Sequence, residues 1–225
     1  MAGRTDGSVT TDVAIERRPE RVSRPVVAIV AITLFVALLA AAWVFVAARQ
    51  RAEVRVWFDA QPIECARGVT AVEDLGFDVD PVYVHVLEAL PELDCWLRVH
   101  LENQGRLPVT VRGVELPMHG PDTMNGIRAG ELSPFGVLPQ TADATGPPAV
   151  DAVYRFDHQL EPQQGLELRI ALEHQPQGCM SPGSTAWVTD APAVEVSVLA
   201  LRGTRTPTGV VFAQRGTDAS SCDLP

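Results

Sequence analysis

Apolar residues divide this chain into a long unbroken run near the N-terminus and, beyond it, segments that alternate with period two. Leu166, Leu168, Ile170 and Leu172 alternate with Glu167, Arg169 and Glu173. Val194, Val196 and Val198 alternate with Glu195 and Ser197, and Ala152, Tyr154 and Phe156 with Asp151, Arg155 and Asp157. Cys95, Leu97, Val99 and Leu101 alternate with Arg98, His100 and Glu102. One apolar face per segment predicts strands with a core on one side and water on the other, the habit of antiparallel sheets. Between Leu107 and Leu116 the phase breaks at Gly113: Val109 and Val111 share one phase, Val114 and Leu116 the other. A bulge at the glycine would return both pairs to one face. Asn103-Gln104-Gly105, between this segment and the preceding one, reads as a hairpin connection. Further strands are expected near 82–88, 184–189 and 208–214, with an edge strand within Ile127–Phe135. The pattern predicts an all-β domain, an immunoglobulin-like antiparallel β-sandwich of two sheets and about seven to nine strands.

The unbroken run is Val26–Ala48, 23 residues without a charge and with a single hydroxyl, Thr33. A helix rises ~1.5 Å per residue, so the run reaches ~34 Å, enough for a hydrocarbon core of ~30 Å. It exceeds the ~7–15 apolar residues of a cleaved signal peptide. Residues 26–48 are therefore expected to form a retained transmembrane helix whose partner is the lipid bilayer. Residues 1–25, rich in Arg, Thr and Asp, are expected to form a disordered cytoplasmic tail, and residues 49–225 an extracytoplasmic domain. Arg17, Arg18, Arg21 and Arg24 before the run outnumber Arg49, Arg51 and Arg55 after it, which favours a cytoplasmic N-terminus.

Cysteine placement points the same way. Cys65, Cys95, Cys179 and Cys222 all follow the run and none precedes it. An even set on one side of an anchor suits an oxidising compartment and disulfides. Four cysteines allow three pairings; Cys65–Cys95 with Cys179–Cys222 is preferred, each closing a loop that stabilises by roughly 3–4 kcal/mol in the chain-entropy account. The expected localisation is the cell membrane, single-pass, with the C-terminal domain extracellular.

The chain contains no lysine; all 18 basic residues are arginine. That excludes a Walker A phosphate loop, Schiff-base catalysis and Ser-x-x-Lys acyl transfer, each of which needs the lysine amine. From Val56 onward 10 arginines face 23 acids, a net of −13. Such a domain repels nucleic acid, which is excluded as a partner.

Residues 118–149 show no sustained period, and aperiodic segments of that length are often functional. They open with Met118, His119 and Met124, soft thioether and imidazole donors that suit Cu(I); Cys179-Met180 adds soft donors if unpaired. Glu73, Asp74, Asp78 and Asp80 form an acidic stretch without the EF-hand pattern. No Gly-x-Ser-x-Gly elbow or His-Glu-x-x-His helix is present, and no nucleophile is paired with a base by any motif. The expectation is a non-catalytic protein without a cofactor.

Leu97-Arg-Val-His-Leu-Glu-Asn-Gln-Gly-Arg-Leu-Pro-Val-Thr-Val-Arg-Gly-Val-Glu-Leu116 and Gly178-Cys-Met-Ser-Pro-Gly183 carry a resemblance. In these residues the chain resembles single-pass, membrane-anchored envelope proteins of GC-rich actinobacteria. The resemblance spans the anchor and most of the outer domain. It implies an immunoglobulin-like sandwich ectodomain and brings no activity or site residues with it. The resulting expectation is a module that mediates protein interaction in the cell envelope, with a strand edge or the 118–149 loop as the contact. The alternative is an extracytoplasmic copper(I)-binding protein using Met118, His119 and Met124.

Overall fold

The computed structural model describes residues 24–67, 70–74, 83–141, 147–220 and 222. Residues 1–23, most of the expected tail, lie outside them. Helix α1 (Arg24–Ala52) overruns the apolar stretch at both ends. Pro25 fits there because a first-turn residue has no intrahelical use for its N–H. The chain divides into two compact units, one ending at Ala42 and one beginning at Trp43. In the first, every side chain from Ala28 onward is exposed, and mean hydropathy reaches 2.8 over the apolar window. A helix apolar on all faces and buried against nothing suits a hydrocarbon surround. Its one hydroxyl, Thr33, donates to the carbonyl of Ile29 at 2.9 Å, so no polar group is left for lipid to face.

The second unit is all-β after its opening helical turns. Its strands are β1 (Val54–Trp57), β2 (Ile63–Arg67), β3 (Thr70–Asp74), β4 (Tyr83–Glu88), β5 (Asp94–Asn103), β6 (Val109–Leu116) and β7 (Ile127–Ser133). They continue with β8 (Ala152–Leu160), β9 (Gly165–His174), β10 (Thr185–Thr189), β11 (Ala193–Val198), β12 (Leu201–Arg205) and β13 (Val210–Arg215). β5 organises the first sheet. β9 pairs along one side of it, while β1 and β2 share the other, and β7 continues beyond β9. The second sheet runs β12-β11-β6-β8. Both turn apolar faces into one core: Leu97, Val99 and Leu101 of β5, with Leu168 and Ile170 of β9, cluster with Val111, Leu116, Tyr154 and Val196.

The bulge at Gly113 is present. Against β11, Gly113 faces Glu195 and Val111 faces the adjoining Val196, so Arg112 is the extra residue, and Val109, Val111, Val114 and Leu116 are all buried. A Cβ on Gly113 would stand 2.3 Å from the Tyr154 carbonyl oxygen, so backbone approach admits glycine alone.

The expected hairpin at Asn103-Gln104-Gly105 is not one. β5 belongs to the first sheet and β6 to the second, and the connection crosses between layers. The cause is the Asn103 side chain, fully buried at the crossing. Its amide donates to the carbonyls of Leu107 (2.9 Å) and Leu160 (3.1 Å), and its oxygen accepts from Gly105 N–H (3.0 Å). An amide satisfied on both ends replaces the ladder hydrogen bonds a hairpin would have made.

A third sheet, β10-β13-β4-β3, was not foreseen as separate. Its β4–β13 pair is parallel, the exception among the ladders of the described residues. Val211 to Gln214 are consecutively buried, and Val84, Val86 and Ala213 form a small second cluster. Burial on both faces erases the alternation and is the usual setting of parallel pairing. The short strands β1, β2 and β12 escape sequence reading because four or five partly exposed residues carry little pattern, and β3 is as short.

Tyr154 ties the two main sheets together. It is fully buried on β8, and its hydroxyl donates to the Gly130 carbonyl of β7 at 2.8 Å. Replacing it with Phe leaves that carbonyl without its donor; Tyr154→Phe is expected to lower unfolding stability by about 1–3 kcal/mol in urea titration. On the third sheet, Glu73 of β3 pairs with Arg215 of β13, and that hydrogen bond holds the carboxyl below its ordinary value of 4.5. A carboxyl depressed in the folded state stabilises above its unfolded value and loses that contribution as pH falls below about 4.5. Glu73→Gln is therefore expected to lower stability above that pH and to flatten its decline below it, as read from urea titrations at a series of pH values.

Candidate functional site at a buried histidine

β6 ends in Pro117-Met118-His119-Gly120, a turn held from several sides. Met118 is in the left-handed region at φ 61°. Its N–H donates to Asp151 Oδ1 at 2.8 Å, and its carbonyl accepts from the Thr123 hydroxyl and the Asn125 amide, both at 2.7 Å. The His119 carbonyl accepts from Ala129 N–H of β7 at 2.7 Å, and Gly120 N–H donates to the Val150 carbonyl at 2.6 Å. A Cβ at Gly120 would lie 2.1 Å from the Ala149 oxygen, which explains the glycine. Further on, Gln140 N–H donates to Val153 of β8, and Leu132 and Val137 bond to each other. Within 118–149, of which residues 142–146 lie outside the described ones, β7 forms the sheet edge, and His119, Val137 and Gln140 bond to the outer sides of β7 and β8. Such bonds take up edge groups that would otherwise invite foreign strands.

The fold buries His119, leaving 1% of it exposed. Its ring sits edge-on to Phe212, centroids 5.6 Å apart, and Nδ1 lies 2.6 Å from the Pro117 carbonyl oxygen. A carbonyl only accepts, so Nδ1 carries the proton. Burial pushes the imidazole below its ordinary pKa, outweighing the Pro117 bond and the charge of Asp151, and the ring is neutral at pH 7. Nε2 is then a bare lone pair, and it has no partner among the described residues. His119 is among the residues around a cavity of about 280 Å³ that Met118, Trp187, Thr189 and Gln214 also line. Gln214, on β13 and 2% exposed, carries another buried acceptor, Oε1, without a partner among the described residues. None of the described residues lining the cavity is charged. Buried polar atoms are normally satisfied, so these two are exceptions within the fold.

Of the expected metal donors, Met118 and His119 meet at this cavity; Met124, two-thirds exposed, does not line it. The cysteines pair as preferred. Cys65 and Cys95 face each other across the β2–β5 ladder, and Cys179 is bonded to Cys222. Cys179 therefore offers no thiolate beside Met180. In the acidic stretch Glu73 is committed to Arg215, while Asp78 and Asp80 lie outside the described residues. Among the described residues no three His, Cys, Asp or Glu side chains cluster as a metal site would require. Sequence reading missed Trp187 and Gln214. The signal for Gln214 is visible afterwards: a polar residue closing the apolar stretch Val210–Ala213 of a strand covered on both faces.

No protein-family model matches the chain, and no curated protein is significantly similar to it.

Two substitutions test the site's construction. Gly120→Ala is expected to cost more than about 2 kcal/mol in chemical denaturation, because the added methyl meets backbone on both sides. Gln214→Met, similar in shape but without the orphaned acceptor, is expected to leave stability unchanged or raise it by up to about 1 kcal/mol.

Proposed function

We propose that this protein is a non-catalytic, membrane-anchored module whose extracytoplasmic, immunoglobulin-like β-sandwich binds a partner protein in the cell envelope. The observation that carries the reading is the pairing of all four cysteines, every one of them beyond the apolar helix, into two disulfides. Disulfides persist in oxidising compartments, so the domain belongs on the far side of the membrane from the N-terminal arginines. The two main sheets sharing one core, with outward-facing polar rows, support the immunoglobulin-like description.

The contact surface that fits best is the edge at β3. The outer sides of β7 and β8 accept some backbone bonds from His119, Val137 and Gln140, whereas β3 pairs only with β4 among the described residues. Val72 on β3 and Tyr83 on β4 are 58% and 69% exposed, and they fall on the same face of the pair. An aromatic and a branched aliphatic side chain beside an open strand edge match partner binding by strand addition, where backbone bonds give affinity and side-chain pockets give selectivity.

Membrane-impermeant maleimide applied to intact cells tests the compartment. The expected result is no labelling until an impermeant reductant is added, then labelling of all four cysteines. Labelling that requires cell lysis would overturn the placement. A photocrosslinking residue at position 83 is expected to trap one envelope protein, and Val72→Glu to abolish the adduct. Adducts that persist in Val72→Glu would rule out this edge as the contact.

A further inference from the structure

The negative net charge of the domain hides an uneven distribution. Acids outnumber arginines by 13 from Val56 onward, yet positive charge collects where the chain leaves the apolar helix. We infer that the last turn of α1 and the strand ends bonded to it form a binding surface for anionic phospholipid headgroups, with Arg49 and Arg106 taking the phosphate. The inference rests on α1 being the membrane anchor and is independent of the β3 edge.

The second unit carries the end of the apolar run within it. Residues 43–48 close the run, and Trp43 is half-exposed. Tryptophan favours the boundary between hydrocarbon and headgroups. A helix rises ~1.5 Å per residue, so residues 49–52 lie within ~6 Å of the end of the run, at headgroup depth. Printed side by side in no stretch of sequence, distant segments are bonded to that turn. Gln50 Oε1 accepts from Arg106 N–H at 2.9 Å and from Leu107 N–H at 3.2 Å, and the Glu53 carbonyl accepts from Gln104 N–H at 3.0 Å. A Cβ on Gly105 would stand 2.5 Å from Gln50 Oε1, so this loop lies directly against the helix end. Arg205 of β12 donates to the carbonyls of Val54 (3.1 Å) and Ala52 (3.2 Å), and the Arg51 guanidinium donates to the Arg202 carbonyl. Arg106 and Arg205 thus join Arg49 and Arg51 at one place.

The charge of these four is uncompensated. Arg51 and Arg205 bond neutral carbonyls, Arg49 and Arg106 are exposed, and none of the four enters an ion pair among the described residues. Arg202 is set aside because it pairs with Glu195, and Arg55 because it faces Glu102 across the β1–β5 ladder. Arg49 and Arg106 line one cavity of about 440 Å³ with Gln50, Glu53, Gln104 and Gly105, room enough for a headgroup. A guanidinium offers a phosphate two parallel hydrogen bonds. Glu53 is the one acid in the lining and works against an anion. Acids farther away than a Debye length of ~8 Å are screened, so the net charge of the domain does not decide the matter here.

The full chain is reconstituted in phosphatidylcholine bilayers holding a trace of spin-labelled lipid, and the immobilised lipid is read by electron spin resonance. The expected result is preferential immobilisation of phosphatidylglycerol over phosphatidylcholine, shrinking at about 1 M salt. Arg106 and Arg67 are both exposed and lie near opposite ends of β5: Arg67 faces Asp94, and ten strand residues, ~30 Å, lead from there to Asn103. Arg106→Gln is expected to lower the relative association of phosphatidylglycerol about fivefold, and Arg67→Gln to leave it unchanged. Glu53→Gln is expected to raise it. Equal losses in the two arginine variants would assign the preference to net charge and overturn the proposal, as would the absence of any preference in the unaltered chain. Carbonate extraction separates the two levels. A chain stripped from the bilayer refutes the anchor and this surface with it, whereas a retained chain without lipid preference refutes the headgroup surface alone.

Discussion

Two backbone hydrogen bonds flank His119, and much of the domain depends on them. Its carbonyl accepts from Ala129 of β7, and the next N–H, that of Gly120, donates to Val150 just before β8. A sandwich of two sheets leaves open strand edges along its side, and unpaired backbone groups there cost free energy and invite aggregation. Between β6 and β8, backbone bonds from His119 and Val137 to β7 and from Gln140 to β8 take up part of those edges. The buried hydroxyl of Tyr154, donated to Gly130 of β7, fixes the same seam from within.

Closing the seam has a chemical consequence. To reach both edges the chain turns sharply at Met118 and Gly120, and that turn drives an imidazole into the interior against Phe212. One imidazole nitrogen is satisfied by the turn itself, while the other has no partner among the described residues, as is also true of a nitrogen in His85 and in His174. The turn that stabilises the seam thus leaves a buried acceptor unpaired.

The remaining anchors act at the ends of the strands. Asn103 carries the chain from one sheet to the other with its amide fully bonded, Cys65–Cys95 locks β2 onto β5, and Glu73 with Arg215 ties β3 to β13 across the third sheet. In the last turn of α1, which belongs to the second unit, the Gln50 side-chain oxygen accepts from Arg106 and Leu107 N–H, and Arg205 donates to the carbonyls of Ala52 and Val54.

Sequence alone determined what depends on near neighbours. The apolar run, the alternating strands β5, β8, β9 and β11, and the bulge at Gly113 follow from residue spacing, because helix and strand periodicities are local. The cysteines left three pairings open in sequence, and folding selects Cys65–Cys95 with Cys179–Cys222. What required the tertiary structure was everything set by distant partners. Whether Asn103 ends a hairpin or crosses between sheets depends on Leu160, far along the chain. The parallel pairing of β4 with β13 joins segments more than a hundred residues apart and leaves no periodic trace in either. The 118–149 segment looked free because bonds between non-adjacent residues, such as His119 with Ala129 and Gln140 with Val153, leave no periodic trace. For the same reason the surroundings of His119 were only half legible: Met118 adjoins it in sequence, but Phe212 and Gln214 arrive on a strand that only folding brings alongside.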